Sequence, residues 1–300
     1  MPADPSPAIA IMPHHVKPRL RPGRVALDAL VWPRGRPARL QGAHKTLRDL
    51  TPDDHLVVFT TDALHLRPWT GTPAKLSVMV LEPRAIHGRH MALLRLTHRR
   101  FHRVLTSNPG LLSALPNGIL FPLGCTWVGD WTALDLTKTR ACSLIASAKR
   151  SLEGHALRHD TAAHIADHGL DVDVMGGGYK PFALKSDGLA PYRFSVVIEN
   201  VREPNYFTEK LIDAVLCRTV PIYWGCPNLG EFMDTSGMVL CEDGAAIRAA
   251  LNDLSPERYQ SLLPGLARAV PQAASYADIF ARAADAILGP PGQDRAGQTP

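Results

Sequence analysis

Short Val-, Leu- and Ile-rich runs that each stop dead at polar or turn residues are the feature that most restricts this chain. His55 to Phe59 (HLVVF) ends in Thr60-Thr61-Asp62, and Lys75 to Leu81 (KLSVMVL) ends in Glu82-Pro83. Ala8 to Met12 reads as a first strand, and Arg103 to Thr106 is a weaker run. Runs this short and this uniformly apolar describe strands buried on both faces, as in a parallel sheet. Between them lie segments of helical period such as Gly88 to His102, where Met91, Leu94 and Leu96 oppose Arg and His. Strand and helix alternating over the first ~125 residues predict a doubly wound α/β sheet.

Leu120 to Leu136 (LFPLGCTWVGDWTALDL) interrupts the rhythm and reads as a linker, with Trp127 and Trp131 as packing residues. The pattern then restarts. Strands are expected at Cys142 to Ser147, Val172 to Met175, Phe194 to Ile198, Val220 to Tyr223 and Met238 to Leu240. Helices are expected at Gly154 to His168 and Glu209 to Cys217, and helical patterns then run to about Ile287. The division that follows is a first Rossmann-like domain over 1–135, a second over 136–288, and a disordered Pro/Gly-rich tail over 289–300.

Composition narrows the setting. A chain of 300 residues with 45% hydrophobic and 20% charged residues folds into globular domains instead of staying disordered. A net charge of +5 suits a negatively charged partner, whether a nucleotide, a nucleic acid or an anionic membrane face. The five cysteines are odd in number and form no CxxC, which points to buried thiols in a reducing compartment. The N-terminus has no basic segment followed by an apolar one, and no run approaches the ~20 apolar residues of a membrane span. The expected location is cytoplasmic, with the inner membrane surface as a resting place.

Ligands of an open parallel sheet gather outside the carboxyl ends of its strands. In the second half three loops fall there: Ser147 to Arg158, the Gly176–Gly178 turn, and the stretch from Glu199 to Thr208. Thr208 is a helix N-cap candidate, and Leu211, Ile212, Val215 and Leu216 form one apolar stripe behind it. The helix N-terminus favours an anion, and Lys210 in its first turn opposes the helix dipole unless a phosphate joins it. The expectation is an anion-binding donor pocket. P-loop and GxGxxG patterns are absent, which removes support from ATPase and dehydrogenase readings. Asp171-Val-Asp173 has the DxD form of a metal site but stands at the entry of a strand, so no metal is assigned. His98-Arg-Arg-Phe-His102-Arg reads as a solvated face instead of a nucleic-acid patch, since no aromatic residues interleave it. His14-His15, after the first strand, are candidates to face an acceptor.

The order Tyr192-Arg-Phe-Ser-Val-Val-Ile-Glu199-Asn200, Tyr206-x-Thr208-Glu209-Lys210 and Val220-Pro-Ile-Tyr-Trp-Gly225 resembles the signature of the α1,3/4-fucosyltransferases, glycosyltransferase family 10. Ser143 to Ser147, Arg158 and Met175-Gly-Gly-Gly178 fall in the same order, and the resemblance covers about residues 140–240. It implies a GT-B fold of two Rossmann-like domains facing a cleft, a GDP-sugar donor such as GDP-fucose, a glycan acceptor, inversion at the anomeric carbon, and no essential metal or other cofactor. By matching position, Arg158 and Lys210 would contact the diphosphate. Asn200, Tyr206, Thr208, Glu209 and Gly177 would line the donor pocket. The catalytic base would be Glu82 of Leu81-Glu82-Pro83, one residue closer to its proline than in the family. Without the resemblance, Glu82 is equally a strand-end acid and Arg158 a surface arginine on an amphipathic helix. The rival from another class is a polyanion-binding protein with a degenerate transferase pocket.

Overall fold

The computed structural model describes residues 6–16, 22–66 and 71–289. The expected tail lies, from residue 290 on, outside them, as do residues 17–21 of the basic loop after the first strand. Residues up to Phe121, together with those from Ile279 on, form one unit, and Pro122–Asp278 form a second.

The first unit is built on five parallel strands: β1 (Ile9–Ile11), β2 (His55–Phe59), β3 (Lys75–Val80), β4 (Val104–Thr106) and β5 (Gly118–Leu120). Its helices are α1 (Asp62–Leu66), α2 (Arg84–Thr97) and α3 (Pro109–Ala114). The strands lie in sequence order, β1-β2-β3-β4-β5, so this sheet has no point at which the order reverses. The expected double winding is therefore absent from the first sheet. Two of its elements escaped the hydrophobic pattern. α3 starts at Asn108, whose side chain accepts from the Leu111 N–H, with Pro109 in the first turn. β5 is three residues long and starts on a glycine. Between β1 and β2 the chain makes 3-10 turns that bury Leu27, Leu40 and Leu47 in the same core as Leu56, Val58, Val78 and Val104.

The second unit contains β6 (Arg140–Ile145), α4 (Glu153–Asp167), β7 (Val172–Met175), β8 (Tyr192–Ile198), α5 (Glu209–Leu216), β9 (Val220–Trp224) and β10 (Val239–Leu240). α6 (Gly244–Ala250), α7 (Pro256–Tyr276) and, in the first unit, α8 (Ile279–Leu288) complete the chain. Here the order is β10-β9-β8-β6-β7, all parallel. The chain starts at β6, steps out to β7, then returns to the other side for β8. That reversal opens a crevice outside the carboxyl ends of β6 and β8, where open α/β sheets bind ligands. Leu211, Ile212 and Val215 of α5 share one core with Phe194, Val196, Val220 and Ile222 of β8 and β9.

The expected boundaries at 135/136 and 288/289 differ from those observed. Segment 122–135 is tied into the second unit: Thr126 Oγ1 and Trp127 N–H both donate to Asp213 Oδ1, at 2.6 and 3.0 Å. α8 is tied to the first, through an Arg34–Asp285 ion pair and the Arg282 guanidinium 4.6 Å over the Phe121 ring.

Candidate functional site

At the carboxyl end of β8 the apolar strand delivers a carboxylate into the interior. Glu199 is fully buried, and its two oxygens accept from Thr208 N–H at 2.8 Å and Thr208 Oγ1 at 2.7 Å. Thr208 is also the N-cap of α5, its Oγ1 accepting from Lys210 N–H. One residue thus joins the strand end to the helix start. Burial pushes the Glu199 carboxyl up, while Lys210, 3.6 Å away, pulls it down.

Two glycines make room for this acid. A Cβ on Gly225, just past β9, would stand 2.6 Å from Glu199 Cγ and 2.5 Å from Tyr223 Oη. A Cβ on Gly154, in the first turn of α4, would stand 1.7 Å from the Glu199 carbonyl oxygen. Gly154 N–H donates to Asn200 O at 3.0 Å, so α4 begins directly on the β8 end.

From α4, Arg158 reaches the same point. Its Nε and Nη2 donate to Ile198 O at 3.0 and 2.6 Å, and Nη2 also donates to Asn200 Oδ1 at 3.0 Å. The side chain is buried, which lowers its pKa against the pull of Glu199. Arg158 is therefore not a surface arginine: it clamps the last carbonyl of β8 and orients Asn200. Lys210 Nζ lies 3.1 Å from Thr208 Oγ1 and 3.2 Å from Glu209 Oε1. Burial disfavours this ammonium, but Glu199 and Glu209 outweigh burial and raise its pKa. Glu209 is held low in the opposite sense: burial raises it, and Lys210 and Lys185 more than offset that. Tyr206 is 1% exposed, next to Asn205, which adopts φ 62° and exchanges two hydrogen bonds with Asn228.

Arg158, Asn200, Tyr206, Thr208, Glu209 and Lys210 are thus gathered around one strand end. Gly177 lies in the turn that follows β7. A Cβ there meets nothing within 4 Å, whereas Gly176, at φ 112°, would press a Cβ to 2.2 Å from Ala146 O. The conformational need of the triplet lies at Gly176. Glu82 belongs to the first unit, half-buried between β3 and the start of α2. Asp173 of the DxD pattern accepts from Arg140 Nη1 and Tyr192 Oη at 2.6 and 2.8 Å, which ties β7 through β6 to β8.

Three participants were not among the expected site residues. Glu199 was signalled by an acid closing the run FSVVI. Lys185 and Asp213 were not signalled, since their pairing at 2.7 Å is made by the fold. Trp127, expected as packing, is 68% exposed with its ring 4.8 Å from Lys185 Nζ.

The fold is α/β with two parallel-sheet units, of the GT-B type. Over 80% of this chain and 56% of the other, it is similar to Staphylococcus aureus TarM (a mutant form in complex with Fondaparinux, alpha-GlcNAc-glycerol and UDP), with TM-score 0.52 and 11% identity. More particularly, residues 136–254 match the model of the C-terminal domain of glycosyltransferase family 10 (fucosyltransferase). Over 76 residues the chain is 37% identical to alpha-(1,3)-fucosyltransferase FucT of Helicobacter pylori, and over 63 it is 33% identical to alpha-(1,3)-fucosyltransferase B of Drosophila melanogaster. These matches cover 23% and 21% of this chain and span 16% and 14% of those relatives.

Proposed function

We propose that the protein is an inverting glycosyltransferase that moves fucose, or a related sugar, from a GDP-sugar to a hydroxyl of a glycan. The observation that carries this reading is the pair Glu209 and Lys210. Consecutive in the first turn of α5, they offer a hydrogen-bond acceptor and a cation side by side at the switch point of the second sheet. A ligand that carries sugar hydroxyls next to a phosphate satisfies both, and a nucleoside diphosphate sugar is such a ligand.

Charge on the site supports the same assignment. Arg158, Lys210 and Lys185 are set against Glu199, Glu209 and Asp213. The cations are therefore held in place by carboxylates before any ligand arrives, the kind of preorganisation that stabilises developing charge. As the C1–O bond to the diphosphate breaks, Lys210 and the α5 N-terminus receive the negative charge. Arg158 positions Asn200 and presents its remaining Nη1 edge. Glu82 is the proposed base: it takes the proton of the acceptor hydroxyl while that oxygen bonds to C1 on the face opposite the departing GDP. No residue is assigned to a metal or cofactor. A cytoplasmic location belongs to this reading too. Among the described residues no helix is long and apolar enough to cross a membrane, and the net charge of +5 suits an anionic membrane surface.

A donor screen tests the proposal. GDP-fucose, GDP-mannose and UDP-sugars are offered with a mixed oligosaccharide pool, and transfer and product anomer are followed by mass spectrometry and NMR. GDP-fucose should be consumed with inversion, and GDP should raise the Tm by linkage. A protein that ignores GDP but is stabilised by heparin or DNA with steep salt dependence would be the polyanion binder instead.

A further inference from the structure

We propose that Lys185, against the indole of Trp127, is a positioning residue of the donor site that holds Glu209 seated. This rests on the nucleotide-sugar reading above and assigns a role to a residue outside every motif that led to it.

Lys185 opens a 3-10 turn, Lys185–Gly188, ahead of β8. Its Nζ lies 2.7 Å from Asp213 Oδ2 and 3.7 Å from Glu209 Oε1. Asp213 is fully buried one turn along α5 from Glu209, and its other oxygen is fixed by Thr126 and Trp127. Asp213 is thus the anchor and Glu209 the member near the ligand, with the lysine strung between them. Trp127 covers the ammonium with one part of its ring and faces solvent with the rest, so Lys185 is just 14% exposed. Shielding of this kind strengthens an ion pair over its surface equivalent.

The lysine matters most once a donor is bound. Both ammoniums reach Oε1 of Glu209, Lys210 at 3.2 Å and Lys185 at 3.7 Å. A diphosphate that engages Lys210 draws that cation away from Glu209, while Lys185 stays with it. As a carboxylate Glu209 accepts from sugar hydroxyls with both oxygens, and protonation turns one of them into a donor. The other groups acting on it are Thr208 on the N-cap, Glu199 at the end of β8 and Arg158 on α4. Of these Glu199 favours the protonated form, so loss of Lys185 leaves Glu209 easier to protonate.

The test is GDP titration by calorimetry from pH 5 to 8, using the full chain and the variants Lys185→Met, Lys185→Arg, Glu209→Gln and Lys185→Met/Glu209→Gln. Lys185→Met should weaken GDP roughly tenfold at neutral pH and by more in acid, its pH midpoint lying above that of the wild type. Lys185→Arg should recover most of the affinity, and Lys185→Met should add less than about twofold in the Glu209→Gln background. Equal affinity for wild type and Lys185→Met at every pH, or additive losses in the double variant, would overturn the proposal. Should Lys185→Met fail to fold because Asp213 is stranded, Lys185→Met/Asp213→Asn removes that charge and is measured in its place against Asp213→Asn. A wild type that does not bind GDP overturns the nucleotide reading as well, which sets the two failures apart.

Discussion

Arg158 and Lys210 carry the same charge at the same strand end, yet removing them has different consequences. Arg158→Met deletes three hydrogen bonds from a buried guanidinium and leaves Ile198 O and Asn200 Oδ1 without that donor. The expected loss is about 3 kcal/mol of stability, read from urea midpoints, with Glu199 left nearby as a buried acid. An unchanged midpoint would show that the clamp is dispensable. Lys210→Ala, whose side chain is a quarter exposed, should unfold within about 1–2 kcal/mol of the wild type and still abolish transfer from GDP-fucose. Normal turnover in this variant would remove the leaving-group argument. The amide, acid and lysine of this site were legible because they follow an apolar strand and open an apolar-striped helix, an arrangement with few causes besides a ligand. Burial of Arg158 was not legible, since α4 buries polar residues such as His155, His159 and Thr161 alongside it and shows no apolar stripe to mark its inner face.

At the level of elements, close approach explains which glycines matter. Gly154→Ala would drive a methyl group into the Glu199 carbonyl and push α4 off the β8 end, so the variant should be insoluble or lose more than about 3 kcal/mol. Gly177→Ala meets open space and should keep the wild-type Tm; a loss of GDP affinity without a loss of Tm would give Gly177 its proposed place in the donor pocket. Sequence alone could not separate these two glycines, because the clash at 154 is with residue 199. Much of α5, β8 and β9 was legible from runs such as FSVVI and VPIYW. α7 falls within the helical patterns expected up to about Ile287; it carries Pro264 and Pro271 in its interior, and Gly265 packs so tightly on Gly237 that a Cβ at 237 would stand 1.9 Å from Leu266 N.

For the molecule as a whole, strand alternation announced two parallel sheets but not their orders, since a sequential sheet and a switched one use the same local pattern. The first sheet carries its own acid sensitivity. His55, beside His102, and His65, bonded to His90 at 3.1 Å, are buried and lowered by desolvation from the ordinary 6.5 to about 4. Between those values the unfolded chain binds protons that the folded chain refuses, so stability should fall as pH drops from 6.5 towards 4. Each histidine adds at most about 1.4 kcal/mol per pH unit, less what solvent screens. Urea midpoints at about pH 7.5 and 5 check this, and a flat profile would contradict the burial of both rings. The placement of α8 has a different bearing, on synthesis. Residues 122–278 are contiguous and have all their parts as soon as they leave the ribosome, whereas the first unit waits for α8, which is made after the whole of the second. A nascent chain should therefore complete residues 122–278 before the unit that precedes them, and a stop codon in place of Ile279 should injure that preceding unit and spare the second.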